Sequence, residues 1–395
     1  MTKQIRVLHS LGSLYKGGIE TWLMNILRQQ PSLLKFDFLL GAAGGDYELE
    51  AKELGAELFY QPPSRIPKRV KLLFGVDHNP YLYEVLKKGN YDVFHYHGEE
   101  LGGESLKIAC KAGIPVRVNH CHNTQLARGG KSLEIAWRRF LFRTSNRRRL
   151  QKYATDITAC SNDAGRFLMG QYWDSLKLQP LYCGVSCDAF HQEVSQSRVH
   201  NELRKKYQIP EDAIVVGHVG SMHTLQKNHF FMIDIFQELY HRNPNYWLFL
   251  AGDGILKTQI IDYAKKLGVD SRVVTPGVCN AVELMVYVFD VFLFPSCFEG
   301  FGLAIVEAVA GGLYTVCSDV ITNDLSTYFP ERMQMLSLHA PLQQWADAVE
   351  SAHPKRISVD DGCQLLKDTP FSIESSAEAL VHLYQKRLKI GDDNE

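Results

Sequence analysis

Short β-branched and aromatic runs alternate with amphipathic stretches from the first residues onward. That alternation predicts βαβ units wound into parallel sheets, which makes the fold class α/β. In the first half, Ile5–Leu11, Phe36–Leu40, Ala56–Tyr60, Val93–His97, Pro115–His122 and Asp156–Ser161 read as strands, with helices between most of them. The second half repeats the plan with Ala213–Gly220, Trp247–Gly252, Arg272–Gly277, Asp290–Pro295 and Tyr314–Ser318. Helical patterns at Ile255–Leu267 and Ala281–Phe289 separate some of these runs. Between the halves the patterns lapse into GVSCDAFHQEVSQS, a polar connector, so two similar α/β domains are expected with a boundary near Cys183–Ser197. Ligands of open parallel sheets bind beyond the carboxyl ends of the strands, and the loops there are where chemistry is expected.

Length agrees with that division: 395 residues, at about 100–200 per domain, make two domains. The 43 basic and 44 acidic side chains leave a net charge of −1, which argues against a nucleic-acid-coating surface. No window carries about 18 consecutive apolar residues, and the start has no apolar stretch with a small-residue cleavage site, so a cytoplasmic chain is expected. Nine cysteines without a C-x-x-C pair read as mostly buried thiols, not as a disulfide framework or a zinc site.

The strongest chemical signal is PSCFEGFGLAIVEAVAGG, residues 295–312. A strand ends at Pro295, a glycine-bearing loop follows, and a helix opens near Gly302. Gly300 and Gly302 permit close approach of a ligand, and the free amides of the helix start suit an anion such as a diphosphate. Glu299 and Glu307 bracket the turn, and Glu307 is placed to accept hydrogen bonds from ribose hydroxyls. The plainer reading is a strand-to-helix turn with two solvated glutamates. Lys227, in the loop after the strand ending at Gly220, can set an ammonium against a leaving diphosphate; an isolated loop lysine is otherwise a solvated one. Gly17 and Gly18 lie between the first strand and helix, where a backbone can approach a phosphate or an acceptor sugar. Glu20 favours the helix start and is given no catalytic role. Asp253, in AGDG, reads as a turn residue.

Two H-x-H pairs, His95/His97 and His120/His122, fall at predicted strand ends, where the two-residue period turns each pair to one face. Structural histidines are the ordinary reading and a four-histidine metal centre the rarer one. The stretch KSLEIAWRRFLFRTSNRRRLQK, residues 131–152, holds eight basic residues and one acidic one, and Leu133, Trp137, Phe140 and Leu141 can share an apolar stripe. It suits an anionic membrane surface as well as a core-packed helix with a basic face. Nucleic acid is disfavoured because aromatic platforms are not interleaved with the charges.

The spacing of Glu299 and Glu307 resembles the E-x7-E motif of retaining glycosyltransferases with the GT-B fold, and more narrowly of family 4. The segments YKGGIETWLMNIL, VNHCHNT and GHVGSMHTLQKNHFFMIDIF match in the same order, so the resemblance covers nearly the whole chain. It is similar to bacterial exopolysaccharide and capsule enzymes. The resemblance implies a GT-B architecture of two Rossmann-like parallel-sheet domains facing across a cleft. The N-terminal, acceptor-side domain is 1–188, the nucleotide-sugar domain is 189–372, and the closing helix in 373–395 crosses back to the first.

It further implies retaining transfer of a sugar from a nucleotide diphosphate, UDP-linked, to a saccharide or lipid-linked saccharide, with no cofactor and no metal. Glu299 then orients the donor sugar, and the backbone of Gly300, Phe301, Gly302 and Leu303 holds the diphosphate. Lys227 assists departure, Glu307 holds the ribose, Val278 meets the base, and His122, with His120 second, lies near the reacting sugar. The family usually carries arginine where this chain has Ser221, and the loop before Gln226 and Lys227 is longer by one residue. That departure leaves open replacement of the cation by His223, or a degenerate protein that binds a sugar nucleotide or a partner enzyme without turnover. A nucleotide-sugar epimerase on the same scaffold is the lesser alternative.

Overall fold

The computed structural model describes residues 4–29, 33–63, 79–99, 101–125, 137, 140, 142–190, 196–279 and 282–389. The chain divides into two compact units, Met1–Gly184 with Ile373–Glu395, and Val185–Ser372.

The first unit is built on six parallel strands: β1 (Ile5–Leu11), β2 (Leu34–Leu40), β3 (Leu58–Tyr60), β4 (Val93–His97), β5 (Val116–Cys121) and β6 (Asp156–Ala159). Most positions of β1, β2, β4 and β5 are buried, because helices cover both faces of the sheet. This is why the strands read as continuous apolar runs instead of alternating ones. The order β3-β2-β1-β4-β5-β6 sets β1 beside β4, where the winding reverses. The carboxyl ends of those two strands form the unit's topological switch point, the place where open parallel sheets bind ligands. Helix α1 (Gly18–Gln29) follows β1 and buries Trp22, Leu23, Met24, Ile26 and Leu27 at helical spacing.

The closing helix, Ile373–Leu388, belongs to this unit. Trp22 Nε1 donates to Ser376 Oγ at 2.7 Å, and that hydroxyl donates to the Tyr182 carbonyl at 2.5 Å. The buried Tyr384 hydroxyl is 2.6 Å from His95 Nδ1, and Arg387 Nε donates to Asp156 at 2.9 Å.

The second unit has β7 (Ile214–Val219), β8 (Tyr246–Ala251), β9 (Val273–Gly277), β10 (Val291–Phe294), β11 (Tyr314–Ser318) and β12 (Met333–Leu336), again all parallel. Their order is β12-β11-β10-β7-β8-β9, so the switch point lies between β7 and β10. Helix α2 (His229–Arg242) buries Met232, Ile233, Ile235, Phe236 and Leu239 against a core that includes Val216, Leu248, Leu293 and Trp345. Helix α3 (Leu303–Ala310) follows β10. The helical pattern expected over Ala281–Phe289 forms a helix only at Val282–Met285; Val286, Tyr287, Val288 and Phe289 are buried beyond it. No helix among the described residues is long and apolar enough to cross a membrane.

Candidate functional site

At the switch point of the second unit, the loop after β7 and the loop after β10 are tied together. The Cys297 amide donates to the Gln226 carbonyl at 2.7 Å, and Asn228 Nδ2 donates to the Pro295 carbonyl at 3.1 Å. Gln226 Nε2 reaches the Phe298 carbonyl at 3.1 Å and Glu299 Oε2 at 3.3 Å. These bonds bring Lys227 Nζ to 2.6 Å from Glu299 Oε1. The ammonium also lies 4.7 Å from the centre of the Phe294 ring, a cation–π distance. Side-chain exposure is 19% for Lys227 and 8% for Glu299, so the pair is largely withdrawn from water and removal of either partner leaves a costly charge.

Gly302 precedes α3 with φ of +99°, a left-handed conformation that favours glycine and lets the chain turn into the helix. Its carbonyl accepts from the Ile305 amide at 2.8 Å. The amides that open α3 therefore start beside Glu299 in sequence, and a helix start favours anions. Gly300 is buried, Leu303 is half-buried, and Phe301 packs its ring 5.2 Å from that of Phe371. Glu307 has its carboxyl pushed up to about 7, by burial first and by the Glu283 charge second, with Lys227 opposing. It is thus poised between proton donor and acceptor near neutral pH.

Val278, just beyond β9, is 65% exposed. Ser221 is exposed and its hydroxyl accepts from the His223 amide at 3.3 Å; His223 is exposed as well. Asp253 accepts from the next amide, of Gly254, at 2.7 Å, which is turn geometry.

In the first unit, Gly17 and Gly18 are exposed at the start of α1. A side chain at Gly17 would meet Glu20 Oε2 at 2.5 Å. Burial raises the Glu20 carboxyl to about 7, a property its position at a helix start did not suggest. His122 lies just past β5, half-buried, with Nε2 2.9 Å from His97 Nδ1 and Nδ1 3.9 Å from Cys183 Sγ. Burial lowers its imidazole to about 3, so the ring is neutral.

The two H-x-H pairs meet, as their period implied, and a fifth ring joins them. His9 of β1 sits in register with His95, and His97 with His120. His9 was missed as a candidate because it has no H-x-H partner; the signal that finds it is topological, since β1 neighbours β4 wherever winding reverses between them. Gln226 and Cys183 were likewise missed, and nothing in their local sequence marks them.

Comparison with known proteins agrees with this architecture. The family model "Glycosyltransferase Family 4" matches residues 16–189, and "Glycosyl transferases group 1" matches residues 199–324. The chain is 30% identical to glycosyltransferase EpsF of Bacillus subtilis (strain 168), over 97% of each chain. It is 24% identical to the UDP-Gal:α-D-GlcNAc-diphosphoundecaprenol α-1,3-galactosyltransferase of Escherichia coli, over 75% of this chain and 77% of that one. Among solved structures, a glycosyltransferase from Rickettsia africae ESF-5 superposes with a TM-score of 0.76 at 16% identity, covering 98% of this chain and 99% of that one. With its two six-stranded parallel sheets and its match to EpsF along almost the whole length, the chain belongs to the family 4 glycosyltransferases of GT-B fold.

Proposed function

We propose that this glycosyltransferase moves a hexose, with retention, from a UDP-linked sugar to a saccharide or lipid-linked saccharide in bacterial surface-polysaccharide assembly. The observation that carries the reading is the Lys227–Glu299 contact of 2.6 Å beside the opening of α3. A diphosphate competes for the ammonium, and Glu299, once relieved of it, accepts hydrogen bonds from the donor sugar. The amides of Gly300, Phe301, Gly302 and Leu303 take up phosphate charge, Glu307 holds the ribose hydroxyls, and Val278 packs on the base. In the first unit, Gly17 and Gly18 admit a saccharide and His122 hydrogen-bonds one of its hydroxyls.

In the transfer step the acceptor oxygen bonds to the anomeric carbon as the bond from that carbon to the phosphate oxygen breaks. The acceptor's proton passes to the departing phosphate. Charge develops on the phosphate, where Lys227 and the amides of α3 stabilise it. These groups supply positive potential at the site where other transferases use a metal, so transfer is expected to be metal-independent. The UDP donor and lipid-linked acceptor are supported by what the E. coli relative is named for.

The basic stretch 131–152 is read as a contact with the inner face of an anionic membrane. Residues 126–136, 138, 139 and 141, with Leu133 and Leu141, lie outside the described residues. Trp137 and Phe140 are 55% and 57% exposed, which leaves their rings available to an interface of that kind.

Ser221, whose exposed hydroxyl accepts from the His223 amide and brings no positive charge to this loop, favours a second reading: a protein that binds a sugar nucleotide without turnover. Proton NMR of the product formed from a UDP-α-hexose decides between these readings. An α-configured product supports retaining transfer, a β product overturns retention, and binding of UDP with no product under any acceptor condition supports the second reading.

A further inference from the structure

Beneath the carboxyl end of the first sheet, His9, His95, His97, His120 and His122 stack with ring centres 4.0–5.6 Å apart between neighbours. His9, His95 and His120 are fully buried and His97 is 8% exposed. Two hydrogen bonds thread this stack. His9 Nδ1 is 2.9 Å from His97 Nε2, and His97 Nδ1 is 2.9 Å from His122 Nε2. Each link thus joins the Nδ1 of one ring to the Nε2 of the next.

Desolvation holds these rings neutral: His9 and His122 fall to about 3, and His97 lies well below the ordinary histidine range. A neutral imidazole has one proton for its two nitrogens. If each link carries one proton, the tautomer of any ring dictates that of the others. Only two arrangements exist: all three rings protonated at Nδ1, or all three at Nε2.

The His9 end of the chain chooses between them. His9 Nε2 is buried and has no hydrogen-bond partner among the described residues. Protonated, it would be an orphaned buried donor; unprotonated, it is an unfilled lone pair, and orphaned buried N–H groups are the rarer case. At the other end, His122 Nδ1 faces the Cys183 thiol at 3.9 Å, which can accept weakly from an N–H or donate its S–H to a bare nitrogen and so serves either arrangement. Two histidine triplets, His9/His95/His97 and His97/His120/His122, hold ligand atoms within 4.8 Å of one another. Both nitrogens of His97 are taken up by the links, however, in opposite directions along the stack. That is the geometry of a relay, not of a metal cage.

We propose that His9, His97 and His122 form a tautomer relay that locks all three rings in the Nδ1–H form, so that His122 presents a neutral N–H donor at Nδ1, which a saccharide oxygen takes over from Cys183 Sγ. His9 and His97 are then positioning residues, acting through His122. The final clause rests on the reading of His122 as a saccharide-contacting residue; the lock itself does not.

The test is long-range proton–nitrogen NMR of the full-length protein labelled with nitrogen-15 histidine. The expected result is one neutral tautomer, protonated at Nδ1, in all three rings. Unlike tautomers among the three, or a charged ring, would overturn the relay in the wild-type protein alone. His9→Leu removes the far end, two links from His122, and is expected to leave His122 as a mixture of both tautomers. His9→Asn, which restores a hydrogen-bonding group near the position of Nδ1, is expected to recover one form. An unchanged His122 in folded His9→Leu contradicts the relay. Normal transfer from a UDP-hexose by His122→Ala, with the lock intact in the wild type, overturns the saccharide contact and leaves the relay standing.

Discussion

Lys227 and Glu299 lie 72 positions apart in sequence, yet Nζ and Oε1 are 2.6 Å apart. The reason is the strand order: β7 and β10 are neighbours, and each residue sits in the loop that leaves one of them. A cation and a carboxylate are thus assembled where the winding of the sheet reverses, with the start of α3 alongside.

Removing the cation is expected to slow transfer more than it unfolds the protein. Lys227→Ala should lower kcat by roughly 10²-fold, comparable to loss of one charge-stabilising donor. Lys227→Arg should recover only part of that loss, because a guanidinium does not fit a site built for a compact ammonium. Steady-state kinetics with the thermal midpoint as a folding control checks this. An unchanged kcat in folded Lys227→Ala contradicts the assignment.

Glu307 gives the donor site a pH dependence. Its carboxyl is raised to about 7, so it gains a proton as pH falls through neutrality and loses acceptor capacity for ribose hydroxyls. UDP affinity attributable to Glu307 should therefore rise with pH through about 7, by at most about tenfold per unit below that value. Titration calorimetry with UDP on wild type and Glu307→Gln separates this from ionisation of the phosphate. The same pH slope in both proteins would remove Glu307 from the site.

The histidine stack should make the protein acid-sensitive. His9 and His122 have folded values near 3, below the ordinary value of 6.5, so the unfolded chain takes up protons that the folded one refuses. Their contribution is intact above pH 6.5 and is lost as pH falls toward 3, at up to about 1.4 kcal/mol per unit for a fully buried ring such as His9. Urea unfolding at pH 7.5, 6.0 and 5.0 should show a falling midpoint with a smaller fall in His9→Asn. Equal midpoints at all three would show that the rings protonate in place.

The sheets were legible because buried parallel strands read as apolar runs, and eleven of the twelve were marked by them. β12 escaped because Met-Gln-Met-Leu has no β-branched or aromatic residue and is only four residues long. The helix expected at Ala281–Phe289 is shorter than its pattern, since Val286 to Phe289 are buried in a turn where apolar periodicity carries no helical meaning. Glu299, Gly302 and Glu307 were legible because a strand-to-helix turn packs its chemistry into one short segment. The Lys227–Glu299 contact was not, because it depends on which strands are neighbours. His9 and Gln226 escaped for the same reason.

Transfer from a nucleotide sugar without a metal is the reaction proposed for this site. The direct measurement incubates the full-length protein with UDP-glucose, UDP-galactose and their N-acetylated forms, with and without a bacterial lipid extract, in the presence and absence of EDTA. Sugar transfer from one donor, stimulated by lipid and unchanged by EDTA, is the predicted result. Transfer abolished by EDTA and restored by a divalent cation, or tight UDP binding with no sugar leaving any donor, would contradict it.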